Sequence, residues 1–283
     1  MEGLQLTLLN TGYSVHRGDW NWQEISSPFT RIYYVKEGTA RIHLQYFTQE
    51  LKPHNLYMIP PFTLHSYECN DYFSHFYIHI YENPKGKLNR LEEFNFPTEI
   101  KAKSLDLQLI HRLLEINPNR ELKQYDPRAY DNQTTLLKNI AEETQQAEYA
   151  VLETKGILTQ LLSRFFKYAS PKSEVQDERI QRVLNYIRKN LNSQIMIREL
   201  AERCNLSDDH FIRLFKKEMN CTPIRYINQK KIEKVQLMLL TENTPIKDIA
   251  YSLSFENISY FNKVFKQVTG YTPSKYYNTI KSH

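Results

Sequence analysis

Glycine is scarce in this chain, 7 residues in 283, and the signatures that depend on it are missing: there is no G-x-S-x-G elbow, no P-loop and no dinucleotide fingerprint. Cysteine is scarcer. Cys69, Cys204 and Cys221 are odd in number and far apart, and no C-x-x-C or Cys/His cluster has zinc spacing. Cys204 falls on a predicted buried helix face, the commonest fate of a free cysteine. No stretch approaches the roughly 18 apolar residues of a membrane span, and the N-terminus has no basic segment followed by an apolar run, so neither insertion nor secretion is indicated. A reducing cytoplasm fits these absences. A metal-dependent barrel needs three or four converging donors. His43 has no nearby partner, and His75 and His79 on one strand face stand about 13 Å apart. No cofactor, metal ligand or catalytic residue is expected.

What is present is unevenly distributed. From Asp177 to His283 there are 18 Lys/Arg against 11 Asp/Glu, a net +7, whereas the preceding 176 residues carry 19 against 21, a net −2. The length suggests two domains. The basic excess lies wholly in the second, as counterion release onto a polyanion requires.

That basic part carries one motif twice. Ile197/Ile246, Leu200/Ile249, Ala201/Ala250, Cys204/Leu253 and Leu206/Phe255 are each 49 apart, whereas Phe215/Phe265, Thr222/Thr272, Pro223/Pro273 and Tyr226/Tyr276 are 50 apart. The second copy therefore has one extra residue. Each copy reads as helix, tight turn, helix. In the first, Leu200 and Ala201 give an apolar face, the turn falls at Asn205-Leu206-Ser207, and Ser207 caps the next helix. Phe211, Leu214, Phe215 and Met219 then form a buried stripe, with Asp209, Ile212, Arg213 and Lys216 opposite. In the second copy Phe261, Val264, Phe265 and Val268 make the stripe, and Ile258, Ser259, Asn262 and Lys263 point away. This is helix-turn-helix geometry, whose second helix enters the major groove of double-stranded DNA. A helical connector from Pro223 to Leu240 would be about 27 Å long, of the order of the ~34 Å between successive major-groove faces. An ordinary pair of helical hairpins is the plain alternative, and the matched cores weigh against it.

The stretches IRELAERCNLSDDHFIRLFKKEMNCTPIRYI and IKDIAYSLSFENISYFNKVFKQVTGYTPSKYY, joined by that connector, resemble the AraC/XylS-type transcriptional regulators over about Asp177 to Tyr277. The resemblance places base-reading positions at Asp209, Ile212 and Arg213 in the first recognition helix and at Ile258, Ser259, Asn262 and Lys263 in the second. One departure is the acidic opening Asp208-Asp209, which suits a helix dipole but repels phosphate.

From Thr7 to about Glu82 the pattern is β. Phe29 to Val35 is aromatic and β-branched, Glu37-Gly38 reads as a turn, and Ala40 to Phe47 alternates, with Ile42, Leu44 and Tyr46 against Arg41, His43 and Gln45. Leu56 to Ile59, His65 to Cys69 and Tyr72 to Tyr81 follow as strands. Short antiparallel strands at this spacing suggest a barrel or jelly roll. The resemblance implies a cupin-like barrel that holds an effector, with VKEG…LKPHNLYMIPPFTLHSY as its core segment, although His54-Asn55 stands where Gly-Asp is usual. Alternation puts His75, Tyr77 and His79 on one face of a strand and Phe76, Ile78 and Ile80 on the other, without saying which is inside. The family register implies a pocket lined by His75, Tyr77, Tyr67 and Glu37, with His65, Arg31, Tyr33, Trp20 and Trp22 as further candidates. Such aromatics either stack on a small effector, a sugar or another flat hydroxylated molecule, or simply fill the barrel.

Ser104 to Ile116 and Asn132 to Ala169 read as helical, broken at Asn117-Pro118 and at Tyr125-Asp126-Pro127. Val151, Leu158, Leu161, Leu162, Phe165 and Phe166 form an apolar band that either docks on the barrel or pairs with a second subunit. The resemblance implies a homodimer. The expected fold is thus α+β in two domains. Residues 1–169 form an effector-binding and dimerisation domain, with its barrel over about 7–100 and helices over about 104–169. Residues 170–176 form a linker. Residues 177–283 form an all-α DNA-binding domain with motifs at about 197–219 and 246–269. The function expected is a non-enzymatic, sequence-specific transcriptional regulator controlled by a small-molecule effector, with no membrane partner. A barrel serving only as an interaction module, or a cupin-type enzyme with a regulatory tail, are the alternatives.

Overall fold

The computed structural model describes residues 4–82, 91, 94–131, 133–143, 145–171, 177–241 and 244–281. Those up to Pro171 form one compact unit and those from Asp177 onward another.

The first unit is built on strands β1 (Leu6–Arg17), β2 (Thr30–Gly38), β3 (Ala40–Leu44), β4 (Thr48–Leu51), β5 (Asn55–Ile59), β6 (His65–Glu68), β7 (Tyr72–Glu82), β8 (Phe94–Asn95) and β9 (Glu99–Lys101). β1, β7, β2, β5 and β9 lie side by side in a five-stranded antiparallel sheet, and β4, β3 and β6 form a three-stranded one. The two sheets enclose a core of Tyr33, Val35, Ile42, Leu51, Tyr57, Tyr67, Phe73 and Tyr77 among others. The outer face of the larger sheet, with Ile32, Tyr34, Met58, Phe76, Ile78 and Ile80, is covered in turn by α1 (Ser104–Ile116) and α4 (Glu148–Phe166). That sheet is buried on both faces, and β7 has no exposed residue along its length.

Two local features shape the β unit. Gly38 has φ +75°, a conformation that favours glycine, and a Cβ there would lie 2.0 Å from the Tyr72 carbonyl oxygen. Gly38→Ala is expected to cost about 2 kcal/mol through strain in this turn, and urea unfolding followed by tryptophan fluorescence would measure it. The chain also reverses earlier than the alternation predicts. Leu44 N–H donates to the Phe47 carbonyl at 2.9 Å, so Ala40–Phe47 is not one strand: Tyr46 sits at a turn, 87% exposed, and Thr48–Leu51 returns as β4.

The expected helix Asn132–Ala169 is two helices, α3 (Gln133–Glu143) and α4, after the short α2 (Pro127–Tyr130). Ala147 begins α4 with extended backbone, which ends any continuous helix there. Ile157, Leu158, Leu161, Leu162 and Phe165 of α4 are buried against the unit's own sheet. Burying five such side chains contributes about 1.5–3 kcal/mol each, so the band docks internally. Ser170–Pro171 pairs with Phe94–Asn95 as β10, and the rest of the expected linker, 172–176, lies outside the described residues.

The second unit comprises α5 (Glu178–Lys189), α6 (Ile197–Glu202), α7 (Asp208–Met219), α8 (Pro223–Thr241), α9 (Ile246–Ser252), α10 (Ile258–Thr269) and α11 (Pro273–Lys281). Asp177 caps α5 by accepting from Arg179 N–H at 2.9 Å. The first stripe buries Phe211 and Phe215, with Leu214 and Met219 half-buried. The second buries Phe261, Val264 and Phe265, but Val268 is 41% exposed. It stands two turns beyond Phe261, near the end of α10, where nothing covers it. No helix among the described residues is long and apolar enough to cross a membrane.

Candidate nucleic-acid interface and barrel interior

The repeat in the sequence becomes a repeat of backbone geometry. Asn205 and Ser254, 49 residues apart, both adopt φ +54° at the turn of their motifs. The following residues close the turn alike: Leu206 N–H donates to Ala201 O at 3.0 Å and Phe255 N–H to Ala250 O at 3.1 Å. Asparagine tolerates this left-handed conformation; serine does so less readily. Ser254 is held there from outside, its Oγ donating to Asn192 O at 2.6 Å while its own carbonyl accepts from Lys231 Nζ at 3.3 Å. The extra residue of the second copy is Glu256, between Phe255 and the helix cap Asn257, and it accepts from Gln194 at 3.0 Å. Each recognition helix ends in a left-handed residue, Asn220 or Gly270.

The side chains expected to read DNA lie on α7 and α10. Asp209, Arg213 and Lys216 on α7 are exposed, as are Ser259, Asn262 and Lys263 on α10. Ile212 and Ile258 are half-buried, Ile212 against the core of the first motif. Some other cations of this unit are tied to carboxylates, as in Arg179–Asp177, Arg198–Glu202, Arg203–Glu199 and Lys230–Glu233. Arg213, Lys216 and Lys263 have no carboxylate partner among the described residues. Their charge is available to a polyanion. α8, 19 residues long, packs against α7, α9 and α10, and its Asn228 donates to Tyr260 Oη on α10 at 2.7 Å.

In the first unit the structure turns the His75, Tyr77 and His79 face inward, opposite Arg31, Tyr33 and Val35 of β2 and Gly12, Ser14 and His16 of β1. His65 and Tyr67 join them. His65 Nδ1–H donates to Thr63 O at 2.8 Å, which leaves Nε2 to accept from Tyr67 Oη at 2.8 Å; Tyr67 in turn accepts from Tyr33 Oη at 2.6 Å. Trp20 stacks on Tyr67 with ring centroids 4.0 Å apart, and His75 lies between Tyr33, Phe73 and His16. Trp22 is half-buried at the edge of this core, its indole N–H without a partner among the described residues. Burial holds His65 neutral, its pKa lowered to about 3, with the Arg31 charge adding to the effect. Burial also pushes His75 and His79 well below the ordinary imidazole range. The Tyr77 hydroxyl accepts from Leu122 N–H at 2.7 Å, and burial raises its pKa. A Cβ at Gly12 would meet that hydroxyl at 2.3 Å, so the ring needs a glycine opposite it.

Glu37 is not part of this interior. The register of β2 against β7 shifts between Val35 and Glu37, a bulge that reverses the alternation, and Glu37 ends exposed, accepting from Tyr72 Oη at 3.4 Å. Sequence reasoning also passed over Ser14, His16, Tyr130 and Asp131. His16 accepts from Ser14 Oγ at 2.7 Å through Nε2 and faces Asp19 Oδ1 at 3.3 Å through Nδ1, while Asp131 meets Arg31. Period-2 alternation carried through β1 could have found Ser14 and His16. No local signal marks Asp131.

A family profile described as a helix-turn-helix domain matches residues 200–279. The chain carries a helix-turn-helix domain similar to those of AraC/XylS-type regulators. It is similar to the bifunctional transcriptional activator/DNA repair enzyme AdaA of Bacillus subtilis, 33% identical over 99 residues, covering 35% of this chain and 47% of that one. It is also similar to the arabinose operon regulatory protein of Escherichia coli, 26% identical over 133 residues and 46% of each chain. The chain thus spans about half the length of these relatives. An apo form of ToxT from Vibrio cholerae matches 96% of this chain and 98% of its own at TM-score 0.53 and 12% identity. That likeness shows the fold: a β-rich N-terminal domain followed by a helical helix-turn-helix domain.

Proposed function

We propose that the chain is a sequence-specific, non-enzymatic DNA-binding transcriptional regulator. The observation that carries this reading is the doubled motif with matched turns and unpaired cations on both recognition helices. Arg213 and Lys216 on α7, and Asn262 and Lys263 on α10, contact base edges or phosphates, with Asp209, Ile212, Ile258 and Ser259 beside them. The named relatives that share the domain are transcription regulators, which supports the same reading. Residues 1–169 form its effector domain and 177–283 its DNA-binding domain. The effector lies in the barrel interior among His65, Tyr67, His75 and Tyr77, whose polar atoms and rings suit a small flat molecule. The regulator acts as a homodimer in the cytoplasm. Because the apolar band of α4 is covered by its own sheet, the second copy uses another surface.

Selecting bound fragments from the source genome with the purified full-length protein tests this directly. Recovery of repeats that each span two major-groove faces is expected, and no enrichment over random DNA at any effector condition would overturn the reading. Within such a site, Arg213→Ala and Lys263→Ala should each cost about 1–3 kcal/mol if the side chain reads a base. An equal loss on random DNA would assign them to phosphate.

A further inference from the structure

The barrel interior encloses a guanidinium. Arg31 is 1% exposed and lies between the rings of Phe29 and Tyr130, 4.8 and 5.4 Å from their centroids. Its Nη1 donates to Tyr130 Oη at 2.8 Å and His79 Nε2 at 3.3 Å, and its Nη2 to Ser27 Oγ at 2.5 Å and Asp131 Oδ2 at 2.6 Å. Asp131 belongs to no strand. It follows the short helix α2, a hundred residues from Arg31, and also accepts from Ser27 Oγ.

This ion pair is half made. Arg31 Nε and Asp131 Oδ1 are both buried without a partner among the described residues, so the carboxylate engages one N–H where the planar edge of the guanidinium offers two parallel ones. His79 accepts from Arg31 at Nε2, which places its proton on Nδ1, and that donor is also buried without an acceptor among the described residues. Burial raises the Asp131 carboxyl above its ordinary pKa even beside the guanidinium. The carboxylate thus sits beside Arg31 with one oxygen unmatched, which marks it as the exchangeable side of the pair.

We propose that Asp131 is a resident stand-in for a ligand carboxylate: the barrel takes a small monocarboxylate on the Nε/Nη2 edge of Arg31, and Asp131 leaves as it enters. This deepens the effector reading above and rests on it. A monoanion fits because the other groups around Arg31, namely Tyr33, Tyr67, Tyr130 and the neutral His79, carry no charge. A dianion such as phosphate would leave an uncompensated negative charge buried among them. The remainder of the ligand lies against the rings of Phe29, His79 and Tyr130. Asp131 stands between α2 and α3, so its departure releases the 127–131 segment from the barrel and makes occupancy a structural change, as effector control requires.

The test is chemical rescue in the full-length chain. In Asp131→Ala, acetate is expected to raise the melting temperature by several degrees, whereas acetamide and chloride at the same concentration do not. The wild type should respond less, because Asp131 competes, and adding Arg31→Gln should abolish the response. Should Asp131→Ala fail to fold, Asp131→Ser also vacates the carboxylate position and allows the same comparison. Acetate stabilising no more than acetamide would overturn the proposal and leave Arg31–Asp131 a closed structural tether. DNA fragments recovered without an acetate preference would remove this inference and keep the regulator; an acetate preference without fragments would do the reverse.

Discussion

Lowering the pH from 7 to 5 is expected to unfold the barrel unit. His65, His75 and His79 are buried and neutral in the folded chain, with pKa values depressed to about 3 for His65 and well below the ordinary 6.5 for the other two. In the unfolded chain all three titrate near 6.5, so below that pH the unfolded state binds more protons and stability falls with pH. Each histidine contributes a slope of about 1.4 kcal/mol per pH unit, and the three together about 4. Because the unfolded histidines are only half-protonated at pH 6.5, the loss between pH 6.5 and 5 is roughly 5 kcal/mol, comparable with the whole stability of a typical domain. Asp131 works in the opposite direction, because its folded pKa is raised by burial. Trp20 and Trp22 are the only tryptophans and both lie in this unit, so their fluorescence reports its unfolding alone. Denaturant midpoints that stay constant from pH 7 to 5 would show the imidazoles to be protonated or solvated in the fold. His75→Leu removes one titrating group and should take away about a third of the slope, and its Nδ1 has no hydrogen-bond partner to lose among the described residues.

Phe215→Ala and Phe265→Ala are expected to cost about 3–5 kcal/mol each. Both side chains are fully buried, and their surroundings match. Phe215 packs edge-on to Phe211 and Tyr226, with centroids at 5.7 and 5.8 Å; Phe265 packs on Phe261 and Tyr276 at 5.7 and 5.4 Å. Removing either ring opens a cavity beneath a recognition helix and releases the helix that presents Arg213 or Lys263. Specific DNA binding should fall far more than either exposed-residue substitution lowers it, while tryptophan fluorescence of the barrel unit stays unchanged. A helical melting transition shifted by less than the equivalent of ~1 kcal/mol would mean that α7 and α10 are held by something other than these cores.

The two predictions differ in how early they could be made. The phenylalanines of α7 and α10 were legible in the sequence because helical periodicity is local and because each copy checks the other. Even there Val268 misled: spacing says which side of a helix a residue occupies, but not where the covering elements end. In β7 the alternation was visible and its meaning was not. A sheet buried on both faces shows no polar/apolar contrast, so His75, Tyr77 and His79 could not be assigned inward until the helices were seen on the opposite side. Glu37 was misplaced for a related reason. Its even spacing from Tyr33 and Val35 predicts an inward side chain, and a single bulged residue, set by pairing with β7, turns it out.

By itself the sequence determined the doubled helix-turn-helix, its basic excess, the β-then-α order of the chain and the residue types of the barrel interior. Each of these rests on periodicity, composition or spacing within a few tens of residues. Only the tertiary structure decided which face of β7 is enclosed, that the apolar band of α4 is covered by its own sheet, and that Asp131 reaches Arg31. Those depend on contacts between residues up to a hundred positions apart, whose formation is set by which surfaces must be covered together and leaves no mark in the local pattern of either partner.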